Sequence, residues 1–185
     1  MQGIPLNERK RLGALLDDRP QAEVMAMIPQ FSQAETDNFV APPAQIPEAL
    51  GVLMFNMERG VNLPEIQEFL RDCPDIQPFD VILANELDDG CARSGNKNTA
   101  RELAQAFGLN YAWGLEFIGL VNDENAKGFH GNAVFSRWPI RRAGVIRLPE
   151  QYNWYFDRQK RIGGRLAVFA ELDVGGQPVG AVSIH

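Results

Sequence analysis

Two short apolar runs separated by an amphipathic segment constrain the fold of this chain more than any other feature. Residues 52–55 and 81–84 are entirely apolar, and short apolar runs bounded by turn residues are typical of strands buried on both faces of a sheet. Pro64 suits the first turn of a helix between them. One apolar face of that helix follows the spacing i, i+3, i+4 and i+7: Ile66, Phe69, Leu70 and Cys73. The order strand, helix, strand predicts an α/β fold.

The rest of the chain predicts one more helix and then mostly strands. Gly108 is placed to end the second helix, whose apolar face is Ala100, Leu103, Ala104 and Phe107. The segments that follow are predicted to be extended: 111–117, 132–136, 144–148, 166–172 and 178–184. We expect a turn at residues 173–176 to join the last two. Early helices and late, mostly antiparallel strands indicate an α/β sandwich.

Length and composition favour one globular domain with an extension. A chain of 185 residues is long enough for a single core. Residues 1–48 combine a short amphipathic helix with a Pro-, Gln- and Ala-rich stretch, so we interpret them as an N-terminal extension, packed or partly disordered, and residues 49–185 as the main domain. The chain lacks an apolar run of about 20 residues and a secretory signal pattern, which predicts a cytoplasmic protein without stable membrane insertion. Cys73 and Cys91 have no metal-ligand or catalytic spacing and are expected to be free thiols.

Charge is distributed unevenly along the chain. The net charge of -6 argues against duplex binding by the surface as a whole, but residues 137–165 contain eight basic and two acidic side chains. Within that segment, Trp154, Tyr155 and Phe156 suit a surface that stacks on bases or inserts at a lipid interface. The alternative is that Tyr152, Trp154 and Phe156 alternate along a packed strand face. Residues 93–98 similarly suit either a loop that faces phosphate or ordinary helix capping.

Two polar residues follow the buried apolar runs. Asn56 and Glu86 lie just beyond residues 55 and 84, and ligands in α/β sheets bind at the carboxyl ends of the strands. A carboxylate there suits Mg²⁺, which prefers oxygen and usually takes one or two protein carboxylates. A glutamate after a strand is, by itself, more often a helix cap or a surface residue.

Four ordered motifs carry a family resemblance. VLMFNMERG, VILANELDDG, FHGNAVFSRWPI and GGRLAVFAELDVGGQPVGAVSIH resemble, in order and spacing, the endonuclease/exonuclease/phosphatase superfamily. The resemblance implies a DNase I-like α/β sandwich of mixed, mostly antiparallel sheets with flanking helices. It also implies phosphoester hydrolysis, phosphodiester above all, that depends on Mg²⁺ or Mn²⁺.

The resemblance also implies roles for individual residues. Glu86 matches the metal-binding glutamate, and Glu58 matches an acidic or polar position near the metal. Asn56 matches the asparagine that helps to hold the phosphate. His130 and Asn132 match the family's Gly-Asn-Ala segment and are expected to belong to the catalytic site. Arg165 is expected near the scissile phosphate, and His185 is expected to assist the leaving group or the phosphate. Ordinary alternatives are a loop residue that binds backbone for His130 and a solvated terminal side chain for His185.

Two further motifs of that superfamily do not occur in this sequence. Gly-Asp-x-Asn positions the nucleophilic water, and a later Asp-His pair completes the site; neither is present. We therefore expect an incomplete sandwich that carries the first half of an active site and is a poor catalyst alone. The alternative is a non-catalytic module that binds a phosphorylated ligand or a partner. Among substrates, nucleic acid is favoured over phosphoinositide or phospholipid headgroup, and self-association or a separate C-terminal half is expected.

Overall fold

A computed structural model describes residues 1–150, 153–157 and 159–185. The helices are α1 (Leu6–Ala14), α2 (Gln21–Ala26), α3 (Leu63–Asp72), α4 (Thr99–Phe107) and α5 (Trp154–Asp157). The strands are β1 (Ala34–Asp37), β2 (Val52–Arg59), β3 (Val81–Asp89), β4 (Asn110–Gly119), β5 (Phe129–Ser136), β6 (Ile140–Arg147), β7 (Arg161–Gly163), β8 (Leu166–Val174) and β9 (Gln177–Ile184). Single 3-10 turns occur at Leu15–Asp17, Pro29–Ser32, Pro74–Ile76 and Ala92–Ser94.

The strands form two sheets. The larger sheet has the order β1-β4-β5-β3-β2, with β7 paired to β4, and the smaller sheet has the order β6-β8-β9. Strands β2 and β3 are parallel, as a strand-helix-strand unit requires, whereas the other pairs are antiparallel. The predicted mixed, mostly antiparallel arrangement is confirmed.

Helices cover one face of the larger sheet, and the smaller sheet covers the other. On the helix side, Leu70 of α3 and Leu103 of α4 are fully buried, and each contributes roughly 2 kcal/mol by leaving water. The core between the sheets contains Val134 of β5, Trp138 and Val168 of β8. The predicted DNase I-like α/β sandwich with flanking helices is thereby confirmed. In the part of the chain described, none of the helices has the length and apolar character needed to cross a membrane.

The first 48 residues pack against the sheets. Strand β1 pairs with β4, with Ala34 opposite Gly114. Arg9 of α1 is buried and donates hydrogen bonds to the backbone oxygens of Lys127 and Asn125. The N-terminal segment therefore supplies an edge strand of the larger sheet, and its division from the main domain at residue 48 stays a prediction.

Strand β2 is not buried on both faces, so that prediction is wrong. Val52 and Met54 are 58% and 74% exposed, because β2 is the last strand of its sheet and the smaller sheet ends at β9, which packs against β3. Only the side of β2 that bears Leu53 and Phe55 packs against the helix-side core. An apolar surface is left on this side of the molecule.

Turns and helix ends were predicted from the sequence more reliably than the burial of the strands. Gly175 and Gly176 both have positive φ, as a two-residue hairpin turn requires, and this turn joins β8 to β9 as predicted. Gly108 has a left-handed backbone conformation and ends α4. The alternating strand predicted through Trp154 and Phe156 is wrong, because residues 154–157 form a short helix; Tyr152 lies outside the described residues.

Candidate active site

The parallel strands β2 and β3 bring Asn56 and Glu86 to one edge of the larger sheet. Asn56 is directly opposite Asn85, and Glu86 is the next residue along β3. The register shifts at this point, and Glu86 has a φ of 58°. A non-glycine residue in the left-handed region costs of order 1–3 kcal/mol, and such residues cluster at functional sites. The backbone N–H of Glu86 donates to Oδ1 of Asn132 at 3.2 Å, which supports this conformation.

His185 and Arg165 lie beside Glu86. Nε2 of His185 is 3.6 Å from Oε1 of Glu86, and Nη1 of Arg165 is 2.8 Å from Nδ1 of His185. Because a guanidinium can only donate, Nδ1 must accept this hydrogen bond. The proton of a neutral His185 ring is then on Nε2, the nitrogen that faces Glu86.

A buried carboxylate holds Arg165 in place. Glu116 of β4 is fully buried, and its Oε1 accepts a hydrogen bond from Nη1 of Arg165 at 2.9 Å. Its Oε2 has no hydrogen-bond partner among the described residues and is 3.9 Å from Nε2 of His130. Glu116 therefore links Arg165 to His130 on the neighbouring strand.

His130 belongs to a second buried cluster. Its Nδ1 is 2.9 Å from Oδ1 of Asp88, and Arg93 donates two hydrogen bonds to the same carboxylate at 2.7 and 2.8 Å. Burial acts to raise the pKa of Asp88, but the hydrogen bonds from Arg93 and then His130 outweigh it and lower that pKa below its ordinary value. Asp88 therefore stays ionised and fixes the orientation of the Arg93 guanidinium and the His130 ring.

These groups open onto a cavity of about 680 Å³. Basic side chains dominate its charge: among the described residues, Arg59, Arg93, Lys160, Arg161 and Arg165 line it together with one carboxylate, that of Glu86. A cavity with this lining attracts anions, because clustered cations within low-dielectric walls focus the field.

The residues around Glu86 fit a divalent cation only partly. The described residues contain no group of three or more His, Cys, Asp or Glu side chains that could hold a metal. The carboxylate of Glu86 and the amide oxygen of Asn56 are nevertheless the oxygen donors that Mg²⁺ prefers, and Mg²⁺ usually keeps several waters. Glu58 is exposed on the bulge beyond Asn56, where its backbone N–H donates to Oδ1 of Asn56 at 2.9 Å.

The predicted site residues occupy one region of the molecule, while their roles stay predictions. Glu86 contacts Asn132 and faces His185, which contacts Arg165. His130 joins the region through Glu116. Within residues 93–98, Asn98 caps α4 and Arg93 binds Asp88.

Two charged residues of the site, Asp88 and Glu116, were not predicted from the sequence, and Arg93 and Arg161 were indicated only as members of the segments 93–98 and 137–165. One signal was available for Glu116, since it is the only charged residue in the otherwise apolar stretch YAWGLEFIGL, and fully buried glutamates are rare unless paired. The basic residues of 137–165 do not act as one group, since Arg142 forms an exposed ion pair with Glu171.

The comparisons with known proteins support the fold of this chain. No protein-family model matches the chain, and no curated protein sequence matches it significantly. Among solved structures, an endonuclease/exonuclease/phosphatase from Beutenbergia cavernae matches 72% of this chain and 37% of its own, with 21% identity and a TM-score of 0.53. An endonuclease/exonuclease/phosphatase family protein from Leptotrichia buccalis matches 74% of this chain and 55% of its own, with 20% identity and a TM-score of 0.51.

A 3′ phosphatase from Neisseria bound to a product DNA hairpin matches 74% of this chain and 41% of its own, with 19% identity and a TM-score of 0.42. This chain thus spans between 37% and 55% of the length of these structures. The first two matches agree with the architecture of two sheets and flanking helices. The chain therefore has the fold of the endonuclease/exonuclease/phosphatase structures.

Proposed function

We propose that the site around Glu86 is the first half of a divalent-metal phosphoesterase site. The observation that carries this proposal is the position of Glu86: a carboxylate held in a left-handed conformation at the end of a central strand, facing His185. A structural carboxylate would not require this conformation. A carboxylate that must project from the sheet edge toward a ligand would, because a bulge re-aims its side chain.

Each residue has a role in this proposal. Glu86 and Asn56 would hold Mg²⁺ or Mn²⁺, with Glu58 near the metal, and the metal would supply charge stabilisation at a phosphoryl oxygen. Arg165 would bind the phosphate, held by Glu116 at 2.9 Å. His185 would hold its Nε2 proton toward the phosphate and the leaving group. His130 and Asn132 would act by fixing Glu116 and the backbone of Glu86.

The proposal assigns only part of a catalytic site to these 185 residues. No described acidic or basic group stands beside Glu86 in a position to activate water, apart from His185. In-line attack also needs a positioned water and stabilisation of the charge that develops. We therefore propose that the water-activating group lies outside this sequence and that the chain alone turns over slowly.

Nucleic acid is the proposed substrate. In the part of the chain that the structure describes, the cavity beside Glu86 is lined by several cations and by one carboxylate, a charge pattern that suits a polyanion. The competing function is a module that binds a phosphorylated ligand without turnover, which the absence of a three-ligand acidic or histidine cluster among the described residues favours. A coding sequence that continues in frame to a Gly-Asp-x-Asn motif would support the enzyme.

Calorimetric titration with Mg²⁺ and Mn²⁺ tests the metal site. We expect weak binding that Glu86→Gln abolishes, because the amide replaces the one carboxylate that the described residues contribute to the cavity lining. Glu23→Gln, a matched change at an exposed position of α2, should bind as the wild type does. Equal metal affinity in wild type and Glu86→Gln would exclude Glu86 from the site.

Turnover is measured separately, by hydrolysis of bis-p-nitrophenyl phosphate and of supercoiled DNA with EDTA as the control. In a protein that also carries the missing motifs, Glu86→Gln should lower turnover by about 10²–10³, the usual cost of one electrostatic contact to a transition state. Activity that persists in EDTA and in Glu86→Gln would contradict the metal-phosphoesterase proposal.

A further inference from the structure

We propose that Arg161, with Arg93 and Lys160, forms a binding site for a second phosphate group of the substrate whose first phosphate lies at Glu86. This inference rests on the proposed function and adds the substrate class, namely molecules that carry at least two phosphate groups. Glu86, Arg93, Lys160 and Arg161 line the same cavity.

Arg161 is held in a fixed orientation by aromatic rings. Its guanidinium carbon is 3.7 Å from the ring centre of Phe117 and 4.2 Å from that of Trp154. Both rings are buried, so they support the guanidinium from the protein side. A guanidinium fixed by rings presents its planar donors with little further entropy loss, which is the arrangement that favours phosphate.

The charge around Arg161 is unbalanced. Among the described residues, its buried Nε has no hydrogen-bond partner and no acidic side chain forms an ion pair with its guanidinium. Burial lowers the pKa of Arg161 to about 10; Glu116 opposes this effect, and the charges of Arg165, Arg59 and Arg93 add to it. An anion bound in the cavity would offset the repulsion among these cations.

Lys160 extends the same cationic surface toward solvent. It is exposed, and its Nζ is 3.7 Å from the ring centre of Tyr155 and 4.9 Å from that of Phe156. Arg93 lines the same cavity while its contacts with Asp88 hold it in place. The site is therefore built from three cations on separate supports. Among the described residues, none of the three forms an ion pair with Glu86, which is left to bind a metal.

Two sources could supply the second phosphate: the next phosphodiester of a nucleic acid strand, or the second phosphate of a small bisphosphorylated alcohol. Affinity for a short oligothymidylate and for inositol bisphosphate is measured on the full chain in EDTA, so that metal at Glu86 does not contribute. Loss of one charge-assisted contact should weaken binding about 10- to 100-fold in Arg161→Gln. Lys160→Gln should weaken it a few-fold.

Arg142→Gln is the matched control, because it removes one positive charge from the same basic segment, at an exposed ion pair on β6. It should bind as the wild type does. Arg161→Lys should retain part of the affinity, since the charge stays but the planar donors are lost. For oligothymidylate, Arg161→Gln should also reduce the slope of log affinity against log salt by about 0.7, the contribution of one phosphate contact.

The outcomes separate this inference from the proposed function. Weaker binding of oligothymidylate alone supports the site and assigns it to nucleic acid, while weaker binding of inositol bisphosphate alone assigns it to a small substrate. If circular dichroism shows that Arg161→Gln does not fold, the affinities of Lys160→Gln and Arg161→Lys test the inference instead. Affinities equal to that of Arg142→Gln for both probes would overturn the inference. Failure of the metal site would appear as equal Mg²⁺ affinity of the wild type and Glu86→Gln, which is a separate measurement from the affinity of Arg161→Gln for either probe in EDTA.

Discussion

Replacing Arg165 by methionine should destabilise the fold far more than the loss of an ordinary surface ion pair. Among the described residues, Arg165 donates the only hydrogen bond to Oε1 of Glu116, and Oε2 of that carboxylate has no partner. Glu116 is fully buried. In Arg165→Met both carboxylate oxygens would therefore lack a hydrogen bond in a site that water does not reach.

The expected loss of stability is about 3 kcal/mol. Removing one partner of a buried ion pair typically costs about 3–5 kcal/mol, because the other charge stays buried without compensation. The lower end applies here, since Arg147 and Arg161 also attract Glu116 electrostatically. With a urea dependence of about 2 kcal/mol per molar, typical of small domains, the unfolding midpoint should fall by about 1.5 M.

Urea unfolding followed by circular dichroism measures this effect, with Arg142→Met as the matched control. The partner of Arg142 is Glu171, and this pair is on the surface, so its loss should cost less than about 1 kcal/mol. Combining Arg165→Met with Glu116→Leu should recover much of the stability, because the buried charge is removed as well. If Arg165→Met lowers the midpoint no more than Arg142→Met does, the buried pair is not as inferred.

Three further predictions concern single residues. Because the pKa of Asp88 is lowered in the fold, its ionised form contributes stability above its ordinary pKa of 3.8 that is lost as pH falls further; the Tm deficit of Asp88→Asn should be largest near neutral pH and shrink in acid. Burial raises the pKa of the Cys91 thiol, so Ellman's reagent should modify the less buried Cys73 first and Cys91 only on unfolding. A Cβ at Gly131 would collide with the backbone of β4, whereas one at Gly144 meets nothing within 4 Å; Gly131→Ala should fail to fold under conditions in which Gly144→Ala does.

Local and periodic features were predictable from the sequence. The helices that bear Leu70 and Leu103 on their buried faces appear where the spacing predicted them, because helix periodicity and capping are encoded within a few residues. The burial of β2 was not predictable in this way. The apolar run that contains Met54 specifies a strand, but whether its second face is covered depends on where the smaller sheet ends.

The charged network was not predictable, because its partners are distant in sequence. Arg165 and Glu116 are 49 positions apart, and His130 and Asp88 are 42 positions apart. Predicting which of these residues are in contact requires knowledge of the register of β3, β4 and β5, and that register contains shifts. A chain with the same alternation of apolar and polar residues but no register shifts would place these side chains on different faces of the sheet.

The register shifts also explain why His130, Gly131 and Asn132 occur together. Strand β5 lies between β3 and β4, and each neighbour shifts its register opposite this segment: β3 around Glu86 and β4 at Glu116. Asn132 accepts the backbone N–H of Glu86 within the first bulge, and His130 faces Glu116 from the other side. Gly131 lacks the Cβ that would collide with β4. Since bulges re-aim side chains, this one segment of β5 sets the direction of both carboxylates, the one proposed to bind metal and the one that fixes Arg165.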